Sequence, residues 1–429
     1  MHKILNKEVL NTMEKGPVHR SLFCHGASVT FHHAVGFSGA KISLSFLAGS
    51  LFENEDEYGL AHLLEHLVFK ETKTKRIEYL EKFGADLNAY TYKETICFEL
   101  ECHSGNLEKV FPFFMDHFTS LDFTNEQFEK EKKIILHELK EDEDDHEVQG
   151  VEEVFEKNFP KNLGHPVGGT SKEVRRLEPR DVKRYFKKYF RAERMILTIV
   201  SGKKQTNSFR EIIEDKIFSV FGSGRLVNKE PVRLNATKLS KKLNHFTKKK
   251  IKKMESSISF FSFNGPKIND SDYYSYLILD DILFEGLSSL FFKKLREEKP
   301  LVYGMGSSIN SFHHCGLYMM VFRGSSKTSN AIKNAVDEVL EHIADDGISS
   351  ESIQMIKNRM YQNWEVGFDS LEERLEFLTD QEVYGMSSKT LGQMRRELEL
   401  VSVESVKKVV HKIYKKNKYS YLLYKKKDK

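Results

Sequence analysis

The sequence predicts a mixed α and β protein built as two related domains. Three observations predict it: the length of the chain, an alternation of strand-like and helical stretches, and a second half that echoes the order of the first. At 429 residues the chain is too long for one ordinary hydrophobic core, because surface-to-volume scaling splits chains of this size into domains. Its 39% hydrophobic and 30% charged residues match a soluble globular protein rather than a membrane-embedded or disordered one.

KISLSFLAG, from Lys41 to Gly49, has the continuous apolar character of a buried strand, and GLAHLLEHLVFKET, starting at Gly59, carries apolar residues at helical spacing. ADLNAYT and TICFELEC are strand-like runs separated by a charged turn, and the stretch from LEKVFPFFMDHF to ERMILTIVSG alternates both types. Between about residues 221 and 254, apolar periodicity gives way to Gly, Pro and Lys, the composition of a connection. Beyond it, SSISFFSFNGP is strand-like, DYYSYLILDDILFEGLSSLFFKKLREE helical and CGLYMMVFRG strand-like again. DYYSYLILDDILFEGLSS stands where DEYGLAHLLEHLVFK stands earlier, without its histidines, as in a duplicated domain that keeps its chemistry in one copy. The expected division is residues 1–222, a linker at 223–254, and residues 255–429.

Lys and Arg total 67 against 63 Asp and Glu, a formal net charge of +4, which is too small for this size to argue for a nucleic-acid partner. The basic run from Lys248 to Lys253 reads as a solvated connection, with an acidic-lipid or nucleic-acid patch as the alternative. Cys24, Cys97, Cys102 and Cys315 lack paired C-x-x-C spacing and read as reduced thiols. The opening MHKILNKEVLNTMEKG has no apolar h-region and carries acidic residues, which argues against an export or transit signal. No apolar run reaches the roughly 18 residues that span a bilayer. The expectation is a cytoplasmic protein with no membrane partner.

His62 and His66 are four apart, so on a helix their imidazoles share a face one turn apart and can hold one metal ion. Glu65 shares that face, where its carboxylate can take a proton from a water attacking a carbonyl. Composition alone produces H-x-x-E-H in about one such chain in fifteen, so the motif needs context. The alternative is a helix with partly exposed histidines and a Glu paired to a Lys. Catalytic zinc usually takes three protein ligands, and Glu138 is the leading third candidate. It lies in FEKEKKIILHELKE, where Glu131 is seven positions earlier on the same helical face and IIL argues for packing on the core. One carboxylate can ligate while the other supports a ligating imidazole. A charged, amphipathic surface helix is the competing reading.

These residues and their surroundings resemble the pitrilysin, insulinase and mitochondrial processing peptidase family of inverted-zincin metallopeptidases. SLSFLAGSLFENEDEYGLAHLLEHLVFK looks like the family's active-site entry, GADLNAYTYKETICFE like its following strands and EKEKKIILHEL like its third-ligand helix. GHPVGGTSKEVRRLEPRDVKRYF resembles the end of the first domain, and NDSDYYSYLILDDILFEGLSSLFFKKLREEKPLVYG resembles the inactive repeat. The resemblance implies an α+β fold of two related domains, each an antiparallel sheet backed by helices, together forming a half-clamshell. It implies that His62, His66 and Glu138 bind one Zn2+, that Glu65 is the general base, and that Glu131 supports a ligand from behind.

It further implies that an extended peptide pairs with an edge strand at Asn88, Ala89 and Tyr90. Arg296 and Tyr303 would reach the active chamber from the second domain and steady the charge on the attacked oxygen. A chain of this length supplies half of a closed chamber, so a homodimer is implied, with a heterodimer as its variant. Two departures stand out: His66 and Glu138 lie 72 positions apart, a little closer than is usual in the family, and Pro300 stands where Gly is common. The function implied is a zinc-dependent endopeptidase. The alternatives are a non-catalytic or partner subunit of the same fold, and a nucleic-acid binder acting through Lys248 to Lys253.

Overall fold

The structure is a computed structural model that describes residues 4–13, 16–23, 26–68, 74–159, 161–221, 246–251, 254, 256–345, 348–385, 389–414 and 419–426. Contacts group the chain into two compact units made of interleaved stretches. The first comprises Met1–Glu141, His165–Asn235 and Glu365–Leu391; the second comprises Asp142–Gly164, Ala236–Trp364 and Gly392–Lys429.

The first unit holds strands β1 (Ile4–Met13), β2 (Gly16–Phe23), β3 (Ser28–His33), β4 (Gly39–Phe46), β5 (Asp86–Thr91), β6 (Ile96–His103) and β7 (Met195–Ser201). The second holds β8 (Phe246–Ile251), β9 (Ser256–Asn264), β10 (Val302–Ser311), β11 (Gly316–Ser325) and β12 (Ser420–Lys426). The helices include α1 (Leu60–Val68), α2 (Asn125–Asp144), α3 (His146–Asn158), α4 (Tyr273–Phe284), α5 (Ser350–Gly367) and α6 (Leu371–Val383). The fold is α+β, with one mostly antiparallel sheet in each unit backed by helices, as the family resemblance implies.

The sheets carry the duplication that the sequence suggests. The first runs β1-β2-β3-β7-β4-β6-β5 and the second β10-β11-β9-β12-β8. Read in one direction, β3-β7-β4-β6-β5 matches β8-β12-β9-β11-β10, and the one parallel pair falls at the same place in each, β3 with β7 and β8 with β12. The helices repeat as well. Lys132 on α2 donates to the Leu177 carbonyl at 2.9 Å, and Lys357 on α5 donates to the Glu399 carbonyl at 2.8 Å. Of the stretch expected as a linker, residues 246–251 form β8, and residues 223–245 lie outside the described residues.

Central strands are buried because both faces are covered. All seven residues of β7 are buried, the continuous pattern expected when a strand has packing on both sides. One face meets α1 through Leu60, Leu63, Leu64, Leu67 and Val68, all nearly or fully buried. At about 1.5–3 kcal/mol for each such side chain, this burial holds α1 more firmly than helix propensity could, since an isolated helix of nine residues is unstable in water.

Against the same sheet α6 docks through a mixed interface: Leu375 and Leu378 are buried beside Val18, Ala34 and Val200, and polar contacts surround them. Glu382 accepts from Ser28 at 2.7 Å, Thr30 at 3.2 Å and Arg20 at 2.9 Å. Arg374, 1% exposed, donates to His32 Nε2 at 2.8 Å, while His32 Nδ1 lies 3.3 Å from the Pro17 carbonyl.

The acceptor role toward Arg374 requires a neutral His32 imidazole, with its proton on Nδ1 facing the Pro17 carbonyl. Burial first, and Arg374 among the lesser causes, holds His32 down to about 4. The unfolded chain therefore binds a proton that the folded chain refuses between about pH 6.5 and 4, so stability is full above this window and falls through it as pH drops. Wild type is expected to lose about 3 kcal/mol more than His32→Gln between pH 7 and pH 4, measured by urea unfolding.

Candidate metal centre

The first turn of α1 is set by contacts that the chain makes before the helix begins. Glu53, fully buried, accepts from the backbone N–H groups of Gly59 at 3.1 Å and Ala61 at 2.7 Å. These are donors that a helix start leaves without intrahelical partners. Burial pushes the Glu53 carboxyl up to about 8, against the two N–H bonds that favour its charged form. Gly59 has a φ of +89°, and a Cβ there would lie 2.8 Å from the Gly168 carbonyl oxygen. Gly168 in turn runs beside the site, where a Cβ would sit 3.4 Å from His62 Nδ1. The ring of Tyr58 stacks on His165 at 3.8 Å, and His165 Nε2 lies 2.9 Å from Glu173. Helix and loop thereby lock at the level of the first imidazole.

On this frame His62 Nε2 and His66 Nε2 lie 3.2 Å apart, with ring planes nearly perpendicular at 89°. Glu138 of α2 brings Oε2 to 3.9 Å from His62 Nε2 and 3.6 Å from His66 Nε2. Among the described residues these three form the one group of at least three side chains able to hold a metal ion, with ligand atoms within 4.8 Å of one another. In a tetrahedron with bonds of 2.0–2.1 Å, ligand atoms are separated by about 3.3 Å. The three separations lie near that value, so the donor set fits zinc.

The protonation pattern agrees with the fit. Glu131, 1% exposed, places Oε2 3.3 Å from His66 Nδ1, so a proton on Nδ1 leaves the Nε2 lone pair facing the other ligands. Burial, then the neighbouring His66, holds His62 down to about 4, keeping that ring neutral. His62 Nδ1 is buried without a hydrogen-bond partner. With the proton of each ring on Nδ1, the two Nε2 lone pairs would face each other at 3.2 Å, an arrangement that a cation bound between them would stabilise.

Glu65 stands on the same helix, half-buried. Its Oε2 accepts from the Thr91 hydroxyl at 2.6 Å. Burial raises its carboxyl above the usual range; the Thr91 hydrogen bond and His66 oppose the shift, and Glu138 adds to it.

The other candidates fall into two places. Asn88, Ala89 and Tyr90 lie on β5, an edge strand of the first sheet, paired on one side with β6. Asn88 Oδ1 accepts from the Ala89 N–H at 2.9 Å, and the Tyr90 hydroxyl reaches Glu99 at 2.5 Å. Arg296 and Tyr303 belong to the second unit, where both are exposed; Arg296 lies over the Phe292 ring, 5.3 Å from its centroid. Lys248, Lys249 and Lys250 are exposed on β8, with Lys249 3.1 Å from Glu153; Lys252 and Lys253 lie outside the described residues.

In the second unit, α4 repeats α1 without its imidazoles. Asp281, aligned with Glu65 in the echo of the two sequences, is paired with Arg359 of α5, which repeats α2. Burial pushes its carboxyl up to about 6 in spite of that partner. Glu53 and Thr91 were not singled out from sequence. Strand alternation offered a signal for Thr91, since period two places it on the face of Ala89, toward α1. Nothing local marks Glu53.

Residues 32–171 match the profile of insulinase, peptidase family M16, and residues 176–360 match the peptidase M16 inactive domain. The chain belongs to this family. It is 23% identical over 372 residues to the uncharacterized zinc protease YmxG of Bacillus subtilis, covering 85% of this chain and 88% of that protein. It is 33% identical over 183 residues to mitochondrial cytochrome b-c1 complex subunit 1 of Rattus norvegicus, 40% of this chain and 37% of that one. Its fold resembles the crystal structure of a protease from Helicobacter pylori, with a TM-score of 0.83 at 17% identity, covering 98% of this chain and 99% of that one. No described helix is long and apolar enough to cross a membrane.

Glu53→Ala removes the acceptor for two buried N–H groups ahead of α1. It is expected to lower stability by about 2 kcal/mol, seen as a lower urea midpoint at unchanged m-value.

Proposed function

We propose that the protein is a zinc-dependent endopeptidase that hydrolyses peptides or unfolded segments and holds one Zn2+ per chain. The observation that carries this reading is the convergence of His62, His66 and Glu138 on one point, with Glu65 beside them as a carboxyl group not needed to complete the ligand set. When bound there, zinc supplies Lewis acidity toward a carbonyl oxygen and acidifies a water molecule. Glu131 accepts a hydrogen bond from the Nδ1–H of His66 and orients that ring. Glu65 takes a proton from the attacking water and returns it to the leaving amine nitrogen.

An extended peptide would add to β5 at Asn88, Ala89 and Tyr90, where backbone pairing gives affinity with little demand on sequence. Arg296 and Tyr303 would donate to substrate carbonyl oxygens, acting on the zinc site of the partner in a homodimer; a heterodimer with a degenerate partner is the variant of this arrangement. The second reading is a non-catalytic assembly subunit, favoured by the similarity to a cytochrome b-c1 complex subunit. Against it, His62, Glu65, His66, Glu131 and Glu138 are all present.

Zinc quantification on the purified chain, coupled to cleavage-site mapping on a mixed peptide library, separates the two. About one zinc per chain is expected with measurable cleavage. Glu65→Gln should keep the zinc and lose roughly 10²–10⁴-fold in kcat, the usual range for a proton-transfer group. Glu138→Ala should lose both. A zinc-loaded wild-type chain that cleaves nothing would leave the subunit reading standing.

A further inference from the structure

We propose that Thr91 is a positioning residue for the hydrolysis: its hydroxyl pins one oxygen of Glu65 so that the other stays aimed at the point where His62, His66 and Glu138 converge. The inference rests on the endopeptidase reading above and adds to it a link between the strand that would take the substrate and the group that moves the proton.

Geometry carries the argument. A Glu side chain ends in a torsion that is broad and has no deep staggered well, so a carboxylate on a helix surface has no intrinsic reason to present one particular edge. The Thr91 hydroxyl, 2.6 Å from Glu65 Oε2, is at the distance of a charge-assisted hydrogen bond, the strong kind. It occupies one oxygen and leaves Oε1 as the acceptor.

Thr91 is itself poorly mobile. A β-branched residue has few accessible χ1 rotamers, and Thr91 closes β5 in register with Ile96 of β6, a fully buried residue. Beyond it the chain turns back at once, Tyr92 N–H donating to the Thr95 carbonyl at 2.8 Å. Leu87 and Ala89, on the same face of β5, pack on the core that contains α1, so that face keeps its distance to the helix.

The same strand offers the backbone edge at Asn88 to Tyr90. A peptide adding to that edge would tighten β5 just where its last residue touches Glu65. Binding and proton transfer would then share one rigid element, which favours a reactive geometry over loose association.

The test compares Thr91→Val, which keeps shape and branching but removes the donor, with Thr91→Ser, which keeps the donor. In wild type and both variants, zinc content, thermal midpoint and steady-state constants on one mapped peptide are measured. The expected result is a fall in kcat of about 10- to 100-fold for Thr91→Val, with KM within about threefold and zinc unchanged, and recovery to within a few-fold for Thr91→Ser. Crystal structures of both variants without metal supply a readout free of turnover. The Glu65 carboxylate should leave its place in Thr91→Val and keep it in Thr91→Ser, with His62, His66 and Glu138 unmoved.

Undiminished kcat in Thr91→Val, a loss confined to KM, failure of Thr91→Ser to recover, or an unmoved Glu65 would each overturn the proposal while leaving the peptidase reading intact. If wild type binds zinc and cleaves nothing, or cleaves equally as Glu65→Gln, the peptidase reading or its base fails first and this proposal falls with it.

Discussion

The site depends on a packing constraint in α2. Phe128, Ile135 and Leu139 bury one face of that helix, and Glu131 and Glu138 lie on the same face. The helix therefore cannot reach the core without carrying both carboxylates toward α1. Glu131 is buried almost completely and needs a partner there, since a buried, unpaired carboxylate is costly; His66 Nδ1 is the partner it meets. Two turns along, at the more open end, Glu138 stands against both imidazoles. The stability of the core and the geometry of the candidate centre are thus the same packing.

The two units give one topology two outcomes. In each, a helix lies on the sheet and a second, longer helix meets it through side chains, anchored by a lysine that reaches a backbone carbonyl. In the first unit the junction holds two imidazoles and a carboxylate; in the second, Asp281 is already paired with the guanidinium of Arg359. An internal cation compensates the buried carboxylate there. The carboxylate of the second unit is compensated by an arginine, whereas the two imidazoles and the carboxylate of the first unit are a donor set that suits an external cation.

Much of the candidate centre was legible in the chain because helices bring near neighbours together. The four-residue spacing of His62 and His66 and the seven-residue spacing of Glu131 and Glu138 translate directly into shared faces. Sheet neighbours are another matter. FTKKKI in β8 shows no apolar alternation and reads as a basic connection, yet it is a strand, because its pairing with β12 comes from residues far along the chain. Glu53 was silent for a different reason: it accepts from N–H groups six and eight positions later around a turn, where no helix or strand period applies. Likewise α6, drawn from the second half of the sequence, lies on the first sheet through Glu382, Arg374 and two leucines, contacts that no local pattern announces.

By itself the sequence determined the element types, the doubled order of the chain and the helical faces on which imidazoles and carboxylates sit, because these follow from periodicity over a few residues. Only the tertiary structure decided how close α2 comes to α1, which oxygen of Glu65 Thr91 occupies, and which segments join which unit. Those depend on burial and hydrogen bonding between residues tens to hundreds of positions apart, and periodicity carries no record of distances that long.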